Sequence, residues 1–172
     1  MKQSLVLGIG NALLSDDGAG VHCAQRLADI LSSRDDVRVI DAGTLCFTLV
    51  PEIESAERLI VLDAAELTRA PGELQWFLDG QMDAFLARPR LSAHEIGLRD
   101  LMDIARLSAA LPRERALIGI QPGSLGWGTE LTPEVAKGID AMVTLTLDLL
   151  QLWPGNEPWH PGTDDTALEG AP

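Results

Sequence analysis

Ser4-Leu-Val-Leu-Gly-Ile-Gly-Asn-Ala-Leu-Leu-Ser-Asp-Asp17 is the stretch on which the fold turns. Ser4 to Ile9 is a continuous apolar run of strand length. A run without alternation is what a strand buried on both faces requires, as in a parallel sheet. From about Asp16 to Ser33 the pattern changes to a helical one, with Val21, Ala24, Leu27, Ala28 and Leu31 on one face. A buried strand feeding an amphipathic helix is the opening unit of an α/β fold.

The same alternation continues along the chain. Val37–Ile40 reads as a second strand, ending at Asp41-Ala-Gly43, and a short helix follows through Phe47 and Ile53, disturbed by Pro51. Arg58–Leu62 is a third strand. Ala70-Pro71-Gly72 is a turn, and Glu73–Leu78 alternates as an edge strand does. Ser92-Ala-His-Glu95 is a capping-box signature for a helix running to about Ala109. Ala116–Gln121 is a further strand, followed by the loop Gln121-Pro-Gly-Ser-Leu-Gly-Trp-Gly128. Thr132-Pro133 opens a long helix with Val135, Ile139, Met142, Val143, Leu149 and Trp153 at helical spacing, stopped by Pro154-Gly155. The expected architecture is a three-layer α/β/α sandwich around a mostly parallel sheet. Residues 1–155 form one domain, and residues 156–172, rich in Gly, Pro and Asp, form a flexible tail.

Composition narrows the function. The chain of 172 residues is 46% hydrophobic and 23% charged, ordinary for a globular protein. Its net charge of −13 argues against nucleic acid or an anionic membrane as partner, while tolerating a cation or a basic protein. No signal peptide and no membrane-length apolar span is legible. Two cysteines, Cys23 and Cys46, make no disulfide framework, so a cytoplasmic location is expected.

Asp17 and Asp63 follow the first and third strands, and His94 opens the capped helix. Open α/β folds place their sites at the C-terminal edge of the sheet. Two carboxylates and an imidazole meeting there could hold a divalent cation. Each has a plainer role: Asp16 and Asp17 as helix-start acids, Asp63 and Asp41 as turn aspartates, His94 as an exposed helix residue. Gly8-Ile-Gly10 invites a dinucleotide reading, but Leu13 occupies the third glycine position and Asp16-Asp17 would repel a pyrophosphate. The glycines serve a tight turn and close backbone approach instead. Cys46 lies close to Asp41 as a conceivable thiol nucleophile, without a cysteine-protease signature around it. Trp127, between two glycines, is expected to be an exposed partner anchor.

Gly8-Ile-Gly-Asn-Ala-Leu-Leu-Ser-Asp-Asp17-Gly-Ala-Gly20, Asp41-Ala-Gly-Thr44, Leu62-Asp63-Ala64, His94-Glu-Ile-Gly-Leu98, Gly119-Ile-Gln-Pro122 and Leu131-Thr-Pro-Glu-Val135 together resemble the hydrogenase maturation endopeptidases. The resemblance runs in order from residue 4 to about 150. It implies a twisted five-stranded sheet within the sandwich. It implies an endopeptidase that removes the C-terminal extension of the nickel–iron hydrogenase large-subunit precursor after nickel insertion. It implies Asp17, Asp63 and His94 as nickel ligands, and its acid in the Asp-x-Gly-Thr block matches Asp41, the catalytic candidate, a carboxylate that could act as a base. The family's first-loop acid is often glutamate; here it is the shorter Asp17. Nickel is then supplied by the substrate, and the enzyme is a monomer or weak oligomer. The alternative is a non-catalytic checkpoint module that binds the nickel-loaded precursor without cutting it.

Overall fold

The computed structural model describes residues 3–44, 47–89 and 92–152. Five strands form one sheet: β1 (Ser4–Ile9), β2 (Val37–Gly43), β3 (Arg58–Ala64), β4 (Leu74–Leu78) and β5 (Glu114–Ile120). Their order is β2-β1-β3-β5-β4, parallel except for β4, which pairs antiparallel with β5 at the edge. The helices are α1 (Ala19–Ile30), α2 (Val50–Ser55), α3 (Gly80–Leu86), α4 (Ala93–Leu107) and α5 (Pro133–Leu152). The expected mostly parallel α/β/α sandwich is what forms.

The layers follow from the two-residue period of the strands. Val6, Ile60, Leu62, Ile118 and Ile120 face one side and pack with Ala24 and Leu27 of α1 and with Ile139 and Met142 of α5. Leu5, Leu7, Leu59, Val61 and Leu117 face the other, with Ile53 of α2, Phe85 of α3, and Leu98 and Leu101 of α4. Every residue of β1 and β3 is buried, which explains their unbroken apolar runs.

Several boundaries differ from those expected, each for a local reason. A 3-10 turn at Ser15–Gly18 precedes α1, so Asp16 and Asp17 stand before the helix. Pro51 lies in the first turn of α2, where its missing N–H costs nothing, so it starts that helix rather than disturbing it. β2 and β3 run on to Gly43 and Ala64, so Asp41 and Asp63 are strand residues and not turn residues. α3 was not anticipated: it is short, and Asp79 before it has φ 43° and makes no side-chain cap. Cys46, Trp153 and the tail from 156 lie outside the described residues.

The glycines of the first block bring backbone to backbone. A Cβ on Gly20 would collide with the carbonyl oxygens of Leu62 and Ile9. Gly10, at φ +135°, turns the chain directly beneath the Asp17 carbonyl. The start of α1 therefore seats on the ends of β1 and β3, with no phosphate-binding loop in between.

Candidate active site

β1 and β3 are neighbours, while the chain leaves them for opposite ends of the sheet. The crevice past their C-terminal ends is the topological switch point. Asp17 reaches it from the turn after β1, Asp63 from the end of β3, and His94 from the first turn of α4.

His94 and Asp17 meet. Nε2 of His94 lies 2.9 Å from Oδ2 of Asp17, and the Asn11 amide donates to that same oxygen at 3.0 Å. Their side chains are 11% and 13% exposed, so the pair shows only its tip to solvent. Ser92 sets the imidazole's position. Its hydroxyl accepts from the Glu95 amide at 3.1 Å, and its own amide donates to Glu95 Oε2 at 2.6 Å, completing the expected capping box.

Asp63 continues the Leu59, Val61 alternation and so points to the α4 side of the sheet. It is fully buried, and neither carboxylate oxygen has a hydrogen-bond partner among the described residues. Burial pushes its pKa well above the ordinary value, and the charges of Glu95 and Asp17 push further; the nearby Ala64 backbone N–H, which falls outside hydrogen-bond geometry, opposes them. An unpartnered carboxylate beside two other carboxylates needs a proton or a cation. The donor chemistry of two carboxylates and one imidazole suits a first-row divalent metal. Among the described residues, however, no three His, Cys, Asp or Glu side chains already stand together as a closed cage for one. Asp17 and His94 satisfy each other instead.

Asp41 is not brought to that pair. It belongs to the Val37, Val39 alternation on the α1 side, where Gln25 Nε2 donates to Oδ2 at 3.1 Å and the Gly43 amide to Oδ1 at 3.1 Å. Its side chain is exposed at the same end of the sheet.

Two acids that sequence marks only as a helix-start acid and a capping residue, Asp16 and Glu95, are buried. Glu95 is 2% exposed, and its Oε1 has no hydrogen bond, facing only the Arg88 guanidinium at 3.8 Å. Its capping role concealed its burial; the only signal was its position next to His94. Asp16 is fully buried and accepts four hydrogen bonds: from the amides of Gly123 (2.8 Å), Ser124 (2.9 Å) and Thr132 (2.7 Å) and from the Thr132 hydroxyl (2.8 Å). Burial alone would raise its pKa, but the four donors outweigh burial and hold it below the ordinary value. Asp16 thus clamps the site turn to the loop after β5. Leu14 bridges Gly128 in parallel, and the Ser15 amide donates to the Gly128 carbonyl at 2.7 Å. Gln121, also buried, accepts from the Leu67 amide at 2.8 Å and fixes the loop after β3. No sequence signal marks these partners, which lie 54 to 116 residues apart.

No helix among the described residues is long and apolar enough to cross a membrane. A profile of the hydrogenase maturation protease family matches residues 21–149. The chain is 39% identical over 153 residues to the hydrogenase expression/formation protein HupD of Rhodobacter capsulatus, covering 88% of this chain and 73% of that protein. Its fold superposes on the hydrogenase maturating endopeptidase HybD of E. coli with a TM-score of 0.79 at 30% identity, covering 87% of this chain and 93% of the other. The nickel–iron hydrogenase maturation protease HybD of Thermococcus kodakarensis gives 0.73 at 31% identity, with 86% and 98% covered.

Proposed function

The chain belongs to the hydrogenase maturation protease family, and from that premise we propose that it cuts the C-terminal extension from a nickel–iron hydrogenase large-subunit precursor once nickel is in place. Asp17, Asp63 and His94 recognise the nickel, which arrives as part of the substrate. The observation that carries this reading is the orphaned Asp63 carboxylate beside the Asp17–His94 pair. The Asp17–His94 contact beside the unpartnered Asp63 supports a site that a cation brought with the substrate completes.

The chemistry is hydrolysis of one peptide bond. Water oxygen bonds to the scissile carbonyl carbon, the C–N bond breaks, and the leaving amine takes a proton. Nickel in the substrate supplies Lewis acidity to this step. Asp41, the base expected from sequence, is exposed at the site end of the sheet but faces α1, held by Gln25 and the Gly43 amide, so it serves this step only through substrate bound across that edge. Glu95 holds the start of α4, and therefore the imidazole, in register.

Mixing the purified chain with a nickel-loaded precursor tests this reading by intact mass. The precursor should lose the mass of a short C-terminal peptide. A stable complex with no change in mass would instead establish a checkpoint module, and neither binding nor cleavage would refute both.

A further inference from the structure

Five large apolar side chains stand exposed at the site end of the sheet: Leu13, Phe47, Ile96, Leu125 and Trp127. Leu13 follows β1, Phe47 follows β2, Ile96 lies in the first turn of α4 two residues after His94, and Leu125 and Trp127 follow β5. Trp127 is 86% exposed. Exposed aromatic and aliphatic side chains gathered on one face mark interaction surfaces, whereas scattered ones do not.

The loops carrying three of these side chains are built as one piece. The Gly128 amide donates to the Leu13 carbonyl at 3.0 Å, the Asp16 amide donates to the Ser124 carbonyl at 3.1 Å, and the Ser15 hydroxyl donates to the Glu130 carbonyl at 2.8 Å. With the Asp16 carboxylate clamp, these bonds fix the Leu125–Trp127 segment against the turn that holds Asp17. A partner seated on Trp127 is thereby registered on Asp17.

Behind this face lie Asp17, which shows only an edge to solvent, and the fully buried Asp63, with Asp41 exposed at the neighbouring strand end. The complement of such a face is a polypeptide that carries a cation at its centre and apolar side chains around it. We propose that Leu13, Phe47, Ile96, Leu125 and Trp127 form the docking rim for the body of the large-subunit precursor, with Trp127 its principal anchor. This inference rests on the hydrogenase-processing reading above. It assigns substrate affinity to the rim and leaves the chemical step to the centre.

The test compares wild type with the doubly substituted Leu125→Ser/Trp127→Ser protein and with Leu107→Ser, which alters a side chain 88% exposed at the far end of α4. Equal thermal midpoints establish that all three are folded. Two quantities are measured: Kd for purified nickel-free precursor, and kcat and KM for cleavage of the nickel-loaded one. The rim predicts that the double variant raises both Kd and KM by about tenfold or more, with kcat within about twofold, because loss of anchor residues removes uniform binding. Leu107→Ser should change neither. Unaltered Kd and KM in the double variant would overturn the docking rim. A wild type that binds the nickel-free precursor through Trp127 but never cuts the loaded one would overturn the processing reading and leave the rim standing. A wild type that binds neither form would overturn both.

Discussion

Asp63→Asn should make this protein more stable and leave it unable to process its substrate. In the unfolded chain Asp63 is solvated and ionised at neutral pH. In the folded chain it is fully buried, both oxygens lack a partner, and Glu95 and Asp17 add their charges. A buried polar group left unsatisfied costs about 1–3 kcal/mol, and a charged one more. Asparagine has the same shape and no charge, and it removes the repulsion with Glu95 and Asp17. The expected gain is about 2 kcal/mol at neutral pH, or about 4–8 °C in Tm for a chain of this length. The pH dependence has a definite sign. The folded-state pKa of Asp63 lies above its ordinary value of 3.8, so the native state keeps a proton that the unfolded state has lost. Wild-type stability therefore falls as pH rises from 3.8 through that raised pKa, and is flat beyond it. The variant lacks that fall. Urea titrations of both proteins at about pH 4 and about pH 8 measure the difference. The advantage of asparagine should be small at the lower pH and full at the higher. A variant no more stable than wild type at the higher pH, or with an equal gain at both, would refute the reasoning that Asp63 is an uncompensated buried acid. Stability given up at a functional position is a common trade.

The other expectations rest on the clamp, the packing and the thiol. Asp16→Ala removes an acceptor of four hydrogen bonds and should cost about 3 kcal/mol by urea titration, while lowering processing because the Asp17 turn loses its anchor. Because the Asp16 pKa is depressed, its contribution is fully present above its ordinary value of 3.8 and lost as pH falls through the folded-state pKa. Gly20→Ala drives a methyl into the Leu62 and Ile9 carbonyls and should cost about 3 kcal/mol in the same assay; a cost under about 1 kcal/mol would show that α1 can shift away from the sheet. Cys23 is buried, which pushes its thiol up to about 12, so peptide mapping should find it unalkylated by iodoacetamide in the native protein and alkylated after denaturation.

Which parts of this molecule were legible in sequence follows from the range of the interactions that form them. β1, α1, β3 and α5 are set by local patterns of buried residues, so their periodicity announced them. The edge strand β4 was legible from alternation and turn residues alone. α3 was not, because it is held by Met82 and Phe85 against the sheet and has no capping residue to announce it. Asp17 and His94 were placed at one sheet edge by reading strand ends, and they meet there. Asp41 was expected just past β2; the strand runs on to Gly43, and its alternation turns the Asp41 side chain to the α1 side, away from Asp63. Asp16 looked like a helix-start acid beside Asp17. Its partners follow it by 107 to 116 residues, beyond any local pattern, and only the closed fold shows it as the clamp.

The central claim is that His94, with Asp17 and Asp63, recognises nickel carried by the substrate. It is tested most directly by incubating wild type and His94→Ala with nickel-loaded and nickel-free precursor and reading the large-subunit mass. Wild type should cut the loaded precursor only, and His94→Ala should cut neither while keeping its thermal midpoint. Cleavage of the nickel-free precursor by wild type, or of the loaded one by a fully active His94→Ala protein, would contradict the account.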